Sequence, residues 1–187
     1  MTDDAYAAVS ALPESADISL PAGQLHLRRT LIGDGPMIAD ALATRSVSRY
    51  LAALPYPPDE ATLHTYLQFL CSSGQASRTM ELNGAFAGIV TLSSQLTFWV
   101  VCKFWRKGLA SRSIDWLAEN YFSKPVDLPI KAEVHTANEA SLALLTRKGF
   151  ERSGSNKRRF SFVTETAEEF VPLLLSRSAW QIHKEGD

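Results

Sequence analysis

The chain has few of the residues that build metal and redox sites. Its 187 residues include only two cysteines, Cys71 and Cys102, which have neither zinc-site nor redox-pair spacing. They fit reduced thiols of a cytoplasmic protein. The four histidines are scattered and no two have the spacing of metal ligands, so we expect no metal site.

Long apolar runs and a charge of one sign are also lacking. No apolar run approaches the length of a membrane-spanning helix. The formal net charge of −1 gives no electrostatic case for nucleic-acid binding, and the short run 157–159 (Lys-Arg-Arg) fits a solvated strand end. The first 20 residues contain no Lys or Arg, so we expect no secretory signal. These absences predict a cytoplasmic protein without nucleic-acid or membrane partners.

The composition predicts one domain. A chain of this length with 45% hydrophobic residues can bury a full core. Residues 1–22 are acidic and are predicted to form a loose N-terminal tail. We place the domain at residues 23–164 and a C-terminal extension at residues 165–187.

The order of predicted elements indicates the fold class. Residues 25–31 alternate as a strand does, and residues 78–82 and 85–92 flank Asn83-Gly84, a strong hairpin signal. The full order is strand, two helices, three strands, helix, strand, helix and a final hairpin. This order predicts a mixed α/β (α+β) fold in which helices cover both faces of a mostly antiparallel central sheet.

A cationic turn joins a buried strand to an amphipathic helix between Phe98 and Tyr121. Arg106 and Lys107 precede Gly108, which lets the backbone approach a ligand closely. The free N–H groups and the dipole of such a helix start favour an anion. A solvated turn with a packing glycine is the alternative. Neither of the common glycine-rich phosphate-loop patterns, the dinucleotide fingerprint and the nucleoside-triphosphate loop, occurs in the chain.

A second strand-to-helix unit follows, with a strand at 130–135 and a helix that starts near Asn138. Thr136 and Glu139 match a capping box, and Gly149 stands where a helix C-cap is expected. Taken alone, Asn138 could be only a helix-start residue.

The two units together resemble the GNAT superfamily of acyl-CoA-dependent N-acyltransferases, and within it the RimJ/RimL-like branch. The branch's cofactor turn, aromatic-Gly-Lys-Gly-x-Ala-Thr/Ser, stands here as Trp-Arg-Lys-Gly-Leu-Ala-Ser at residues 105–111. Its later signature, Asn-x-x-Ser and then Gly-Phe, stands at Asn138, Ser141 and residues 149–150. Residues 50–57 resemble the branch's loop between its first two helices. The resemblance covers residues 25 to 162.

This resemblance implies an N-acetyltransferase that moves an acetyl group from acetyl-CoA directly to a primary amine in a ternary complex. The amine would belong to a protein N-terminus or to a small molecule. The backbone of residues 99–101 would run beside the pantetheine, and the pyrophosphate would bind the turn. The implied cofactor-binding residues are Trp99, Val100, Val101, Arg106, Lys107, Gly108, Leu109, Ala110, Ser111, Arg112, Asn138 and Ser141.

At its catalytic positions the chain departs from the pattern. The tyrosine that serves many members as an acid is Leu145 here, which leaves Ser141 to meet the departing thiolate. A first-turn serine that only bonds the backbone is the equal alternative. The glutamate that precedes the strand tryptophan is Gln95 here, which can orient an amine but cannot take its proton.

The sequence therefore does not identify the general base that takes the proton of the amine. Glu133 and His135 lie on one face of their strand and are candidates, as is Glu81, although charged groups of this kind are more often solvated surface residues. Water could replace a protein base. The missing glutamate and tyrosine also support a second function, that of a CoA-binding sensor or interaction module without turnover.

The resemblance does not explain the extension, residues 165–187. Residues 167–176 look helical until Pro172 interrupts the pattern. The segment is apolar enough to pack on the domain or on a partner subunit, so a homodimer is left open. We expect its deletion to lower stability.

Overall fold

The computed structural model describes residues 3–186; positions 1, 2 and 187, which belong to the expected tail and extension, lie outside the described residues. Helices and strands alternate in a mixed order. In chain order the elements are α1 (Asp3–Ser10), β1 (Ser15–Leu20), β2 (Gly23–Arg29), α2 (Gly35–Leu42), α3 (Arg45–Ser48), α4 (Glu60–Cys71), β3 (Ala76–Leu82), β4 (Ala85–Leu92), β5 (Leu96–Val100), α5 (Leu109–Phe122), β6 (Ile130–His135), α6 (Glu139–Arg147), β7 (Glu151–Arg152), β8 (Lys157–Ser161), β9 (Thr166–Leu175) and α7 (Arg177–Gly186).

The first sheet is a sequential antiparallel series of five strands, β1-β2-β3-β4-β5. The predicted turn between β3 and β4 forms at Asn83 and Gly84, whose φ angles of 52° and 79° are both left-handed. This backbone matches the twist of a two-residue hairpin. All five strands of this sheet pair with the strands next to them in sequence.

The second sheet is built around β9. Strand β6 pairs with one edge of β9, and β7 and β8 pair with its other edge, all antiparallel. Strands β5 and β6 lie beside each other, but they belong to different hydrogen-bonded sheets. A cleft opens between the two sheets for this reason.

The helix expected over residues 167–176 is wrong, because this segment is strand β9. Residues 170–175 form an unbroken apolar run, which is typical of a strand buried on both faces and also fits a helix. Pro172 lies opposite Glu133, between the residues of β9 that pair with β8 and those that pair with β7. A proline is tolerated at such a break because no ladder hydrogen bond needs its missing N–H.

The expectation of a loose N-terminal tail does not hold for the described part. Strand β1 pairs with β2 along its whole length, and Ala8, Val9 and Leu12 are buried in the core. The buried guanidinium of Arg78 donates to the carbonyl oxygens of Leu12, at 3.2 Å, and Pro13, at 2.7 Å. The apolar residues among the acidic ones hold this segment in place.

Helices pack on both faces of the sheets. One core cluster joins α2, α3 and α4 to Ile89 and Trp99 of the first sheet. The larger cluster lies on the other side and includes side chains of α1, α5, α6 and α7. The predicted mixed α/β fold with helices on both faces is confirmed.

No helix among residues 3–186 combines the length and apolar character that crossing a bilayer would require.

Candidate active site

A cavity of about 1020 Å³ lies in the cleft between β5 and β6. We call its lining residues within 96–111 the β5 wall and those within 132–147 the β6 wall. A third side is lined by residues 46–51 apart from Ser48, at and just after α3. The cavity therefore lies where two strands run side by side without pairing.

Strand β5 presents backbone groups to this cavity. The N–H of Val101 donates to the carbonyl oxygen of Ala87 on β4 at 2.8 Å. Because successive residues of a strand point their N–H and C=O groups to opposite edges, Phe98 and Val100 point theirs into the cleft. Of the predicted backbone contacts at 99–101, the structure thus turns only those of Val100 toward the cavity.

Two tryptophans frame that open edge. The indole N–H of Trp105 donates to the Val100 carbonyl oxygen at 2.6 Å, which leaves the Val100 N–H for a ligand. Trp99 is buried, and its indole N–H donates to the hydroxyl of Tyr66 at 3.1 Å. Burial raises the pKa of Tyr66 to about 12, so this hydroxyl stays neutral near neutral pH.

A close approach of β4 to β5 requires glycine. At Gly88, where φ is +148°, an added Cβ would lie 2.2 Å from the Trp99 carbonyl oxygen. Contacts this short with backbone cannot be relieved by a rotamer change. Gly88 therefore fixes the position of the β5 wall.

The turn before α5 opens into the cavity with free N–H groups. Arg106 and Gly108 adopt left-handed φ angles of 61° and 84°, and Gly108 is the N-cap. The first helical bond runs from the Arg112 N–H to the Gly108 oxygen at 3.0 Å. The three preceding N–H groups have no partner among the described residues, and they belong to Leu109, Ala110 and Ser111. Together with the helix dipole they form an anion site.

Only some of the cationic side chains at this turn line the cavity. Arg106 lines the cavity, whereas Lys107 and Arg112 do not. The Lys107 Nζ lies 5.4 Å from the centre of the Phe104 ring, and the Arg112 guanidinium is 3.9 Å from the carboxylate of Asp115. The β6 wall adds a cavity-lining cation, Arg147, that the sequence analysis did not assign to the site.

Asn138 caps α6 and lies beside Ser141. Its Oδ1 accepts the Ser141 N–H at 3.3 Å, so the cap is Asn138 and the expected capping box at Thr136 and Glu139 is wrong. Among residues 3–186 the Asn138 amide nitrogen and the Ser141 hydroxyl have no hydrogen-bond partner, and both residues line the cavity. Both groups are available to a ligand.

Glu133 lines the cavity as an ion-paired carboxylate. Its oxygens accept from the Nζ of Lys157 at 2.7 Å and from the Nε and Nη2 of Arg159, each at 3.1 Å. Burial alone would raise the pKa of Glu133, but these hydrogen bonds and charges outweigh burial and leave the pKa below its usual value. A carboxylate with a lowered pKa is a weak base.

His135 has both ring nitrogens engaged. Its Nδ1 accepts the N–H of Ala137 at 3.0 Å, and its Nε2 lies 3.3 Å from the carboxylate of Glu168. The ring also packs on Tyr50 and Phe170, with centroids 5.2 Å away in each case. A histidine held in this way orients the end of β6.

Two other sequence candidates lie outside the cavity lining. Gln95 belongs to the turn between β4 and β5, where its carbonyl oxygen accepts the N–H of Ser93 at 3.2 Å. Glu81 is paired with Arg28 at 2.8 Å in the first sheet. Neither reaches the cavity in this structure.

Arg49 and Tyr50 line the cavity from the α3 side, although neither was predicted as a site residue. The Tyr50 hydroxyl donates to the Ala137 carbonyl oxygen at 2.8 Å. The Arg49 Nη2 donates to the Tyr50 hydroxyl, and its guanidinium lies 4.3 Å from the ring centroid. The only sequence signal was the resemblance of residues 50–57 to a loop of the RimJ/RimL-like branch.

In the part of the chain that the structure describes, no three His, Cys, Asp or Glu side chains are grouped as a metal site would require.

Comparison with family models places the chain. The model of the acetyltransferase (GNAT) domain matches residues 24–151, inside the domain predicted at 23–164. A search of curated proteins finds no match. The predicted superfamily is confirmed.

Solved structures share the fold. RimJ of Mycobacterium smegmatis, in complex with a CoA disulfide, has a TM-score of 0.73 and 19% identity over 95% of this chain and 96% of its own. RimL, a ribosomal α-N-protein acetyltransferase in complex with CoA, has a TM-score of 0.69 and 15% identity over 88% and 99%. The spermidine N-acetyltransferase of Vibrio cholerae, with CoA and spermine, has a TM-score of 0.67 and 18% identity over 84% and 98%.

At 15 to 19% identity these three structures show that the chain shares their fold. The family model covers more than half of the chain and carries the assignment. The chain belongs to the GNAT acetyltransferase family and is an N-acetyltransferase in class.

Proposed function

We propose that this protein transfers an acetyl group from acetyl-CoA to a primary amine by direct transfer in a ternary complex. The observation that carries the proposal is the run of free N–H groups at Leu109, Ala110 and Ser111, which opens into the cleft between β5 and β6. Acetyl-CoA supplies an acyl group activated as a thioester.

The cavity residues fit acetyl-CoA. The α5 N-terminus and Arg106 suit its pyrophosphate, because free N–H groups, a helix dipole and a guanidinium all favour an anion. The N–H of Val100 and the side-chain amide of Asn138 suit the amides of an extended pantetheine arm, one from each wall. Lys107 and Arg112 lie outside the lining and could act only on the outer phosphates.

Ser141 is the group we assign to the departing sulfur. Its N–H is already used by Asn138, but its hydroxyl makes no hydrogen bond within residues 3–186. A hydroxyl held on the cavity surface can donate to a developing thiolate. This favours the functional role of Ser141 over that of a serine that only bonds backbone.

The amine must be neutral to attack, and we propose that its proton leaves to water. The pKa of Glu133 is lowered, and both ring nitrogens of His135 are engaged, so neither is a ready base. An α-amino group, with a pKa near 8, is neutral far more often at neutral pH than a lysine-type amine, with a pKa near 10.4. The site therefore suits the less basic amine, and we assign Glu133 to orienting it.

The first test is calorimetric titration with acetyl-CoA of the parent protein and of Gly108→Glu. The new carboxylate would stand at the anion site, so we expect micromolar binding by the parent and about hundredfold weaker binding by the variant. Gly84→Glu is the matched control. Gly84 also has a left-handed φ, of +79°, and open space around its Cβ, but it lies in the β3–β4 hairpin.

Failure of the parent to bind acetyl-CoA would overturn the proposed function. Binding without thiol release across a panel of amines would instead support the CoA-binding sensor, which the weak base at Glu133 favours.

We also propose a cytoplasmic location and a homodimer. The free thiols of Cys71 and Cys102 support the first, and sedimentation would test the second.

A further inference from the structure

We propose that the acceptor amine carries an anionic group, a carboxylate or a phosphate, and that Arg49 binds this group. The proposal rests on the proposed function, because it names the acceptor that the same cavity takes. It concerns the third side of the cavity, residues 46–51 apart from Ser48, which the cofactor-binding residues leave unused.

Arg49 is a cation without a counter-ion. Among the described residues the only hydrogen bond of its side chain runs to the Tyr50 hydroxyl, and no carboxylate pairs with its guanidinium. The guanidinium has five N–H donors in a planar fork, so most of them remain for a ligand. A carboxylate or phosphate oxygen pair matches that fork in two parallel hydrogen bonds.

Contacts with Tyr50 orient the exposed side chain of Arg49. Its guanidinium lies on the Tyr50 ring, and the Tyr50 hydroxyl is tied to the carbonyl oxygen of Ala137 at 2.8 Å. Ala137 directly precedes Asn138, so Arg49 is anchored at the end of β6 where the cavity residues of α6 begin. A prepositioned guanidinium loses less entropy on binding than a mobile one.

The carboxylates near Arg49 are held by cationic partners or by a helix dipole, which makes them weaker sites for a polycation. Glu133 is neutralised by Lys157 and Arg159, whose own side chains are about half exposed. Glu168 is likewise paired, with His135 at 3.3 Å. Glu139 also lines the cavity, but it lies in the first turn of α6, where the helix dipole holds a negative charge. A polyamine would meet like charge, whereas an anion-bearing amine would meet a complementary one.

The test measures acetyl transfer to matched pairs of amines by thiol release. One pair is a peptide beginning Ala-Asp and the same peptide beginning Ala-Asn; the other is phosphoethanolamine and ethanolamine, which separates peptide from small-molecule acceptors. Spermidine is the polycation. We expect kcat/KM to be about tenfold higher for the anionic member of at least one pair, as loss of a charge-assisted hydrogen bond predicts.

Arg49→Gln should remove this preference, and Arg49→Lys should keep part of it, because lysine retains the charge without the fork. Arg45→Gln is the control, since Arg45 begins α3, which Arg49 directly follows, but it stacks on Tyr56 outside the cavity lining. It should keep the full preference. Melting temperatures of all three variants check that each is folded.

Equal rates within both pairs, or a preference for spermidine, would overturn this inference while leaving the proposed function in place. Absence of acetyl-CoA binding would overturn both. If acetyl-CoA binds and no amine is acetylated, the inference is tested by calorimetry instead. The affinities of the two N-acetylated peptides for the CoA complex are then compared. A preference for the Asp peptide that Arg49→Gln abolishes would support the inference, and equal affinities would overturn it.

Discussion

The two walls of the cavity are built from different groups. The β5 wall offers backbone, namely the open edge of β5 and the N–H groups that start α5. The β6 wall offers side chains, the carboxylate of Glu133, the amide of Asn138 and the hydroxyl of Ser141, with Arg49 and Tyr50 docked against its end. Backbone groups bind the same anion whatever the neighbouring side chains are, whereas side chains are chosen for one ligand. Under the proposed function the β5 wall binds only the cofactor, whereas the β6 wall binds the cofactor through Asn138 and Ser141 and the acceptor through Glu133.

The largest effect should come from removing the strand that supports the β6 wall. Deleting residues 165–187 removes β9, with which β6, β7 and β8 all pair. We expect the melting temperature to fall by more than about 10 °C, or the protein to become insoluble. Deleting only residues 177–187 keeps the sheet and should cost less. Unchanged melting of the longer deletion would show that the extension does not pack.

Breaking the β5 wall should have the next largest effect. Gly88→Ala forces β4 and β5 apart, because its Cβ would lie 2.2 Å from the Trp99 carbonyl oxygen. We expect about 3 kcal/mol less free energy of unfolding in urea, together with weaker acetyl-CoA binding. Gly33→Ala is the control, since nothing lies within 4 Å of its Cβ. Equal losses in the two variants would contradict the close approach.

A smaller effect is expected from a single hydroxyl of the β6 wall. Ser141→Ala should lower kcat about tenfold, because a hydrogen bond to a developing charge is lost. The affinity for acetyl-CoA, measured by calorimetry, should change far less than kcat. Thr146→Ala, at an exposed position of the same helix outside the lining, should leave kcat unchanged. A parental kcat in Ser141→Ala would leave the serine with a structural role only.

The smallest effect on turnover is expected at Glu133. Because its pKa is already lowered by Lys157 and Arg159, Glu133→Gln should reduce kcat/KM less than about tenfold, whereas loss of a true base costs about a hundredfold or more.

The same variant has a pH signature in its stability. The folded pKa of Glu133 lies below its unfolded value, near 4.3, so its ion pairs stabilise the fold above that pH. This contribution is lost as the pH falls through the folded pKa. The difference in unfolding free energy between parent and Glu133→Gln should therefore be largest near pH 7 and shrink below about pH 4.3. A difference that persists unchanged to pH 3 would exclude this role.

The sequence predicted the local features of the fold and missed those that depend on distant partners. The Asn83-Gly84 hairpin, the glycine that starts α5 and the Gly149 that ends α6 are set by neighbours along the chain. Strand β9 was misread because its main pairing is with β6, about 40 residues earlier in the chain, and an apolar run alone fits a buried strand and a helix equally.

In the candidate site, too, the sequence predicted the local motifs and missed the features that depend on distant partners. Gly108 and Asn138 stand in recognisable motifs, and both line the cavity. That Glu133 is paired, that Gln95 lies apart and that Arg49 faces the cavity all follow from tertiary contacts between segments far apart in the chain. The net charge of the whole chain does not reveal how the charges are distributed around the cavity.

The place of β9 also matters during synthesis on the ribosome. Strands β1 to β5 can pair one after another as they emerge, since each follows its partner in the chain. Among the described elements strand β6 pairs only with β9, which is synthesised later. Ile130 therefore cannot pair until Leu175 has been added to the chain. Until translation passes that residue, β6 exposes an open edge that other nascent chains can join. The rate of translation between these two strands would then help decide how much of the protein escapes aggregation.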